Sequence, residues 1–97
     1  MGVMQAFRMD GRVVVVTGGS KGLGKSMAVG FCEAGATVVV CSRHADELTV
    51  VAADVSGETG GRCIPWQMDV TAPDDVAAAV EGVVSEFGRI DAWVNNA

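Results

Sequence analysis

The chain reads as an α/β fold: a doubly wound parallel sheet, built as βαβαβαβ with strand order 3-2-1-4. Three observations predict it. Four short, mostly apolar runs of strand length, rich in Val or containing Ile, recur along the chain. Three segments with helical character lie between them. A glycine-rich turn, Thr17-Gly18-Gly19-Ser20-Lys21-Gly22-Leu23-Gly24, joins the first run to the first helical segment. Strands that are apolar throughout suit a parallel sheet buried on both faces. Their alternation with helices calls for right-handed crossovers, and 3-2-1-4 is the simplest order that satisfies it.

The elements follow in order. Arg12 to Val16 is the first strand. The first helix is expected over Leu23 to Ala34, where Leu23, Met27, Phe31 and Ala34 recur at helical spacing, and Gly35 can adopt the left-handed conformation that ends it. Gly30 costs that helix stability, and close packing against the sheet would account for it. Thr37 to Cys41 is the second strand and Asp46 to Val55 the second helix, with Gly57, Gly60 and Gly61 marking the link to a third strand, Arg62 to Met68. The third helix, Pro73 to Phe87, is the best marked: Thr71 as N-cap, Pro73 in the first turn, Asp74 and Asp75 at the positive end, Gly88 beyond. Val76, Val80, Val83, Val84 and Phe87 supply its apolar face, and Ile90 to Asn95 is the fourth strand. Trp66 and Trp93 fall within strands and read as packing residues.

Ninety-seven residues, 49% hydrophobic and 20% charged, suffice for one domain. A net charge of -5 argues against a general nucleic-acid or anionic-membrane binder, so any phosphate site must be local. No run approaches the roughly 18 apolar residues of a membrane helix. Met1 to Asp10 lacks the apolar core of a secretory signal, which makes a cytoplasmic location the default. Cys32, Cys41 and Cys63 are widely spaced in apolar segments and read as buried free thiols. His44 is the single histidine, so no metal site is expected.

A turn from a strand end into a helix N-terminus presents unpaired N–H groups and a positive dipole end, both suited to a pyrophosphate. Two readings compete there. Gly19, Gly24, Lys25 and Ser26 satisfy GxxxxGK[ST], the phosphate loop of nucleotide triphosphatases. That reading needs an acidic residue after another hydrophobic strand, whereas Asp69 follows a strand containing Pro65 and Gln67. The triphosphatase stands as an alternative, with Lys25 and Ser26 otherwise first-turn residues facing solvent.

The spacing Gly18, Gly22, Gly24 is not GxGxxG, because Ser20 holds the second position. It matches TGxxxGxG, and the chain resembles the short-chain dehydrogenase/reductase family from about Asp10 to its last residue. Asp69-Val70 after the third strand carries the resemblance further, as does the terminal Ile90-Asp91-Ala92-Trp93-Val94-Asn95-Asn96-Ala97, which is similar to the family's NNAG strand without its glycine. The resemblance implies a Rossmann-like fold, with residues 1–97 the N-terminal part of a single NAD(P)-binding domain, truncated before the catalytic region. It implies a cofactor loop of Gly18, Ser20, Lys21, Gly22, Leu23 and Gly24. It assigns Asp69 and Val70 to an adenine pocket, where an acceptor-only carboxylate suits an exocyclic amine. Asn95, Asn96 and Ala97 are implied to line the ribose and brace the central strand.

About 20 residues past the glycine loop, such a fold places an acidic residue for an NAD ribose hydroxyl or a basic one for an NADP 2′-phosphate. Ser42 and Arg43 stand there, and Lys21 could add a second positive charge, so NADP is expected over NAD. Asp46 and Glu47 oppose this, because they could reach a ribose hydroxyl if the loop after Arg43 folds back; His44 is expected in solvent, with stacking on adenine as the alternative. The family's Tyr-xxx-Lys pair and serine come later in the sequence, and this chain has no tyrosine. No catalytic residue is therefore assigned: the expected function is the cofactor-binding portion of an oxidoreductase acting on an alcohol/carbonyl pair, inactive alone. A non-catalytic nucleotide-binding or interaction module is the other alternative. The unpaired edge of the fourth strand is expected to make the chain self-associate or be marginally stable.

Overall fold

A computed structural model describes residues 8–96. Ala97 and the first seven residues of the Met1 to Asp10 segment lie outside the described residues. The elements are β1 (Val13–Thr17), α1 (Gly22–Glu33), β2 (Thr37–Ser42), α2 (Ala45–Thr59), β3 (Arg62–Gln67), α3 (Pro73–Phe87) and β4 (Ala92–Asn95). The sheet order is β3-β2-β1-β4, as expected, and every pairing is parallel. Val15 in β1 aligns with Val39 in β2 and with Trp93 in β4, while Val39 aligns with Ile64 in β3.

Alternation along the strands sends neighbouring residues to opposite faces, which creates two cores. Val14, Val16, Val38 and Val40 pack with Ala28 and Cys32 of α1 and Leu48, Val51, Ala52 and Val55 of α2. Val13, Val15, Val39 and Cys41 pack with Met68 and with Ala79 and Val83 of α3, and both tryptophans lie against this second cluster. Two helices thus cover one face and one helix covers the other. All three cysteines are buried and free. Desolvation pushes the Cys41 thiol up to about 12.

Several boundaries and faces differ from expectation. The buried stripe of α1 is Gly24, Ala28 and Cys32, one position round from the anticipated one, and Leu23 is 68% exposed. Small residues at positions 24 and 28 let the helix axis approach the sheet, so the bulkier Met27 and Phe31 flank the contact. Gly30 lies on the exposed side, where a Cβ would meet nothing within 4 Å, so packing against the sheet does not explain it. Gly35, at φ 99°, ends α1 as expected: its N–H reaches Cys32 O at 3.0 Å and the Ala36 N–H reaches Phe31 O at 3.1 Å, the paired bonds of a Schellman end. Helix α2 runs on through Gly57 to Thr59, and the left-handed Gly60 stops it. In α3, Ala79 and Val83 are buried, whereas Val80 and Val84 are 38% and 41% exposed. Thr71 is not its N-cap. Ala72 holds that position, and the Thr71 hydroxyl is donated to Asp69 instead.

The amino-terminal edge of the sheet is closed by charge. Asp91 accepts from Arg89 Nη2 at 2.6 Å, from Arg12 Nη1 at 3.3 Å and from the Val13 N–H at 2.8 Å. These contacts fix the approach of β4 to β1, and β4 has no second strand neighbour among the described residues.

Candidate functional site

At the carboxyl-terminal edge, β1 ends in the glycine turn. The Gly18 N–H donates to Cys41 O at 2.8 Å, holding the start of the turn against the end of β2. Gly18 and Gly22 have φ of 65° and 53°, a region that side chains with a Cβ rarely enter. Gly24 is required for a different reason: a Cβ there would collide with the Gly18 carbonyl and stand 2.7 Å from Asn96 Nδ2. The turn therefore folds back over the first residues of α1.

Lys21, the residue before α1, has extended backbone angles and provides no side-chain cap. No acidic residue lies in the first turn of α1, whereas α2 carries Asp46 and Glu47 there and α3 carries Asp74 and Asp75. The first N–H groups of α1 and the positive end of its dipole are thus left without a protein anion.

The end of β4 is locked to the end of β1 through Thr17, a polar residue with no solvent exposure. Its hydroxyl lies 3.2 Å from Asn95 Oδ1 and 3.3 Å from Val94 O as donor, and accepts from the Asn96 N–H at 3.1 Å. Asn96 Nδ2 donates to Gly18 O at 3.4 Å. Asn95 Oδ1 also accepts from Trp93 Nε1 at 3.0 Å. The two asparagines brace the central strand, as anticipated.

After β3, Asp69 Oδ1 accepts from both the Thr71 N–H at 2.9 Å and the Thr71 hydroxyl at 2.7 Å. Those bonds hold the Asp69 carboxyl below the usual range, and the Arg43 guanidinium adds a smaller pull. Asp69 is therefore an ionised, acceptor-only group at neutral pH, and its Oδ2 accepts no hydrogen bond among the described residues. The Asp69 N–H is itself held by Asp75 Oδ2 at 3.1 Å.

These segments surround a cavity of about 460 Å³, lined in part by Gly18, Ser20, Lys21, Ser42, Arg43 and Asp69. Val70 and Asn96 complete the anticipated residues in its wall. Gly22, Leu23, Gly24 and Asn95 are not in that wall, and Ala97 lies outside the described residues. Glu47, His44, Met68 and Thr71 also line it. Thr71 and Met68 were not anticipated; the Asp-x-Thr spacing, an Asx-turn signature, was the available signal for Thr71. Arg43 makes no ion pair among the described residues, although its carbonyl accepts from Gln67 Nε2 at 3.1 Å. Lys21 Nζ lies 3.7 Å from Glu47 Oε1.

The triphosphatase alternative is not favoured by this arrangement. Lys25 and Ser26 are absent from the cavity wall, with Lys25 half-buried rather than solvent-facing, and Gly19 is buried where a Cβ would stand 2.8 Å from Val40 Cγ1.

The family pattern described as short chain dehydrogenase matches residues 12–97. A human protein, dehydrogenase/reductase SDR family member 1, is 44% identical over 90 residues, covering 92% of this chain and 28% of its own length. The L-sorbose reductase of Gluconobacter frateurii, solved with NADPH and L-sorbose, superposes with a TM-score of 0.87 at 40% identity, over 94% of this chain and 35% of that one. A metagenomic short-chain oxidoreductase in complex with NADP gives 0.87 at 36% identity, over 92% of this chain and 40% of its own. The chain thus spans about a third of the length of the proteins it is similar to.

Proposed function

The chain belongs to the short chain dehydrogenase family, and from that premise we propose that it forms the N-terminal, dinucleotide-holding part of a single Rossmann domain in an NADP-dependent oxidoreductase acting on an alcohol/carbonyl pair. The donor set suits that ligand. The open N-terminus of α1 offers N–H groups and a positive dipole to a pyrophosphate, with no acidic side chain in its first turn to compete. Asp69 offers an ionised acceptor to the adenine amine. When bound, the nicotinamide supplies or receives the hydride. This chain's own residues bind and orient it: the lock between Thr17, Asn95 and Asn96 keeps the cavity floor fixed, and Gly24 keeps the turn low enough for a phosphate to approach. With no tyrosine in the sequence, we assign no proton donor to these residues.

The observation that carries the NADP reading is Arg43, which follows Ser42, the last residue of β2, in the cavity wall and has no acidic partner among the described residues. A guanidinium there can fork onto a 2′-phosphate, whereas an NAD site would place a carboxylate at this position. The two similar structures solved with NADPH and NADP support the same choice. In a fluorescence titration, Arg43→Ala is expected to weaken NADPH binding by roughly 10- to 100-fold, the equivalent of about 1.5–3 kcal/mol for a hydrogen bond to a charged group, and to leave NADH unchanged. Equal losses for both dinucleotides, or no loss, would overturn the reading.

A further inference from the structure

Beside the first cavity lies a second of about 450 Å³, lined by Ser20, Lys21, Asp46, Glu47, Val50 and Val51. Ser20, Lys21 and Glu47 line both. The ion pair between Lys21 and Glu47 therefore stands as a partition, reaching from the glycine turn to the first turn of α2 with open volume on either side. We propose that Glu47 is a specificity-determining residue for the nucleotide: a carboxylate that holds the Lys21 ammonium away from a 2′-phosphate and so moderates the preference for the phosphorylated dinucleotide. This rests on the reading of the first cavity as an NADP site.

Glu47 and a 2′-phosphate compete for the same cation. Arg43 and Lys21 are the two cationic side chains in the wall of the first cavity, and only Lys21 is engaged by a carboxylate among the described residues. The pair is long and both ends are solvated, at 79% and 45% exposure. Such pairs contribute little, so an incoming dianion can take the ammonium from Glu47. Yet Glu47 keeps its negative charge in the same wall, and that charge opposes a phosphate more than it opposes a ribose hydroxyl. Asp46, the other acid of that turn, lines only the second cavity. The sequence could not show this contact, because the two residues lie on different elements and meet only through the crossover.

The test is a fluorescence titration with NADPH and NADH at low salt, on the unchanged chain, Glu47→Gln, Lys21→Ala and the double variant. Glu47→Gln is expected to tighten NADPH by about two- to fivefold and leave NADH unchanged. In the Lys21→Ala background the increment is expected to shrink, and raised salt is expected to reduce it in both. Glu47→Gln with no effect on NADPH, an equal gain for NADH, or an undiminished gain without Lys21 would overturn the proposal while leaving the NADP site standing. Preference of the unchanged chain for NADH, or no binding of either, would overturn both.

Discussion

The two edges of the sheet treat charge in opposite ways. At the amino edge, Asp91 is shared between Arg89, Arg12 and the Val13 N–H, so charged groups satisfy one another within the protein. At the carboxyl edge, Arg43 has no ion-pair partner among the described residues, α1 lacks both a side-chain cap and first-turn acids, and Asp69 leaves one oxygen without a bond there. Matched charges tie β4 to β1. Unmatched groups around one cavity suit a ligand with anionic and hydrogen-bonding parts, as proposed above. The same four strands serve both purposes because a parallel sheet puts all its helix N-termini at one edge.

The largest way to break this contrast is to fill the space at the open edge. Gly24→Val would drive a side chain into the Gly18 carbonyl and Asn96, and is expected to lower stability by about 1–3 kcal/mol while abolishing NADPH binding. Thermal melts and titration together would check it, and retention of both would show that the turn can relax.

At the closed edge, Asp91→Asn is expected to lower stability without changing dinucleotide affinity. Hydrogen bonds from Arg89, then from the Val13 N–H and from Arg12, hold the Asp91 carboxyl down to about 2. Since that lies below the unfolded value near 4, the stabilisation is present in full above pH ~4 and is lost as pH falls toward ~2. Denaturant melts across this range should show a shallower acid limb in the variant. An unchanged limb would mean that Asp91 does not tie the edge.

The smallest effect is expected away from both edges. Gly30→Ala adds a methyl with nothing within 4 Å in the middle of α1 and should raise stability by about 0.5–1 kcal/mol with NADPH affinity unchanged. A loss in either would show that this face of α1 is more constrained than the described residues indicate.

The order of elements and the sheet order were legible because Val13 to Val16 and Val38 to Val40 are apolar on both faces and because Gly35, Gly60 and Gly88 stand at helix ends. The buried face of α1 was not, because the residues pressed against the sheet are Gly24, Ala28 and Cys32, whose small size hides them from a pattern read by hydrophobicity. Thr71 misled for a related reason: a hydroxyl before a helix can cap it or serve the preceding Asp, and Asp69 won. In the cavity wall, Gly18 and Arg43 were readable from their places after strands, whereas Asp69 was picked out by the resemblance to the family. Glu47 was readable as an acid that could reach the same site, but its contact with Lys21 comes from the way α2 crosses the glycine turn, which no local pattern records.

The most direct test of an open edge set against a closed one is an amide chemical-shift map on titration with NADPH. Perturbations are expected at residues 18–24, 42–44 and 69–71 and at Asn96, with Arg12 and residues 89–91 unmoved. Shifts concentrated at the amino edge, or none at saturating NADPH, would contradict it.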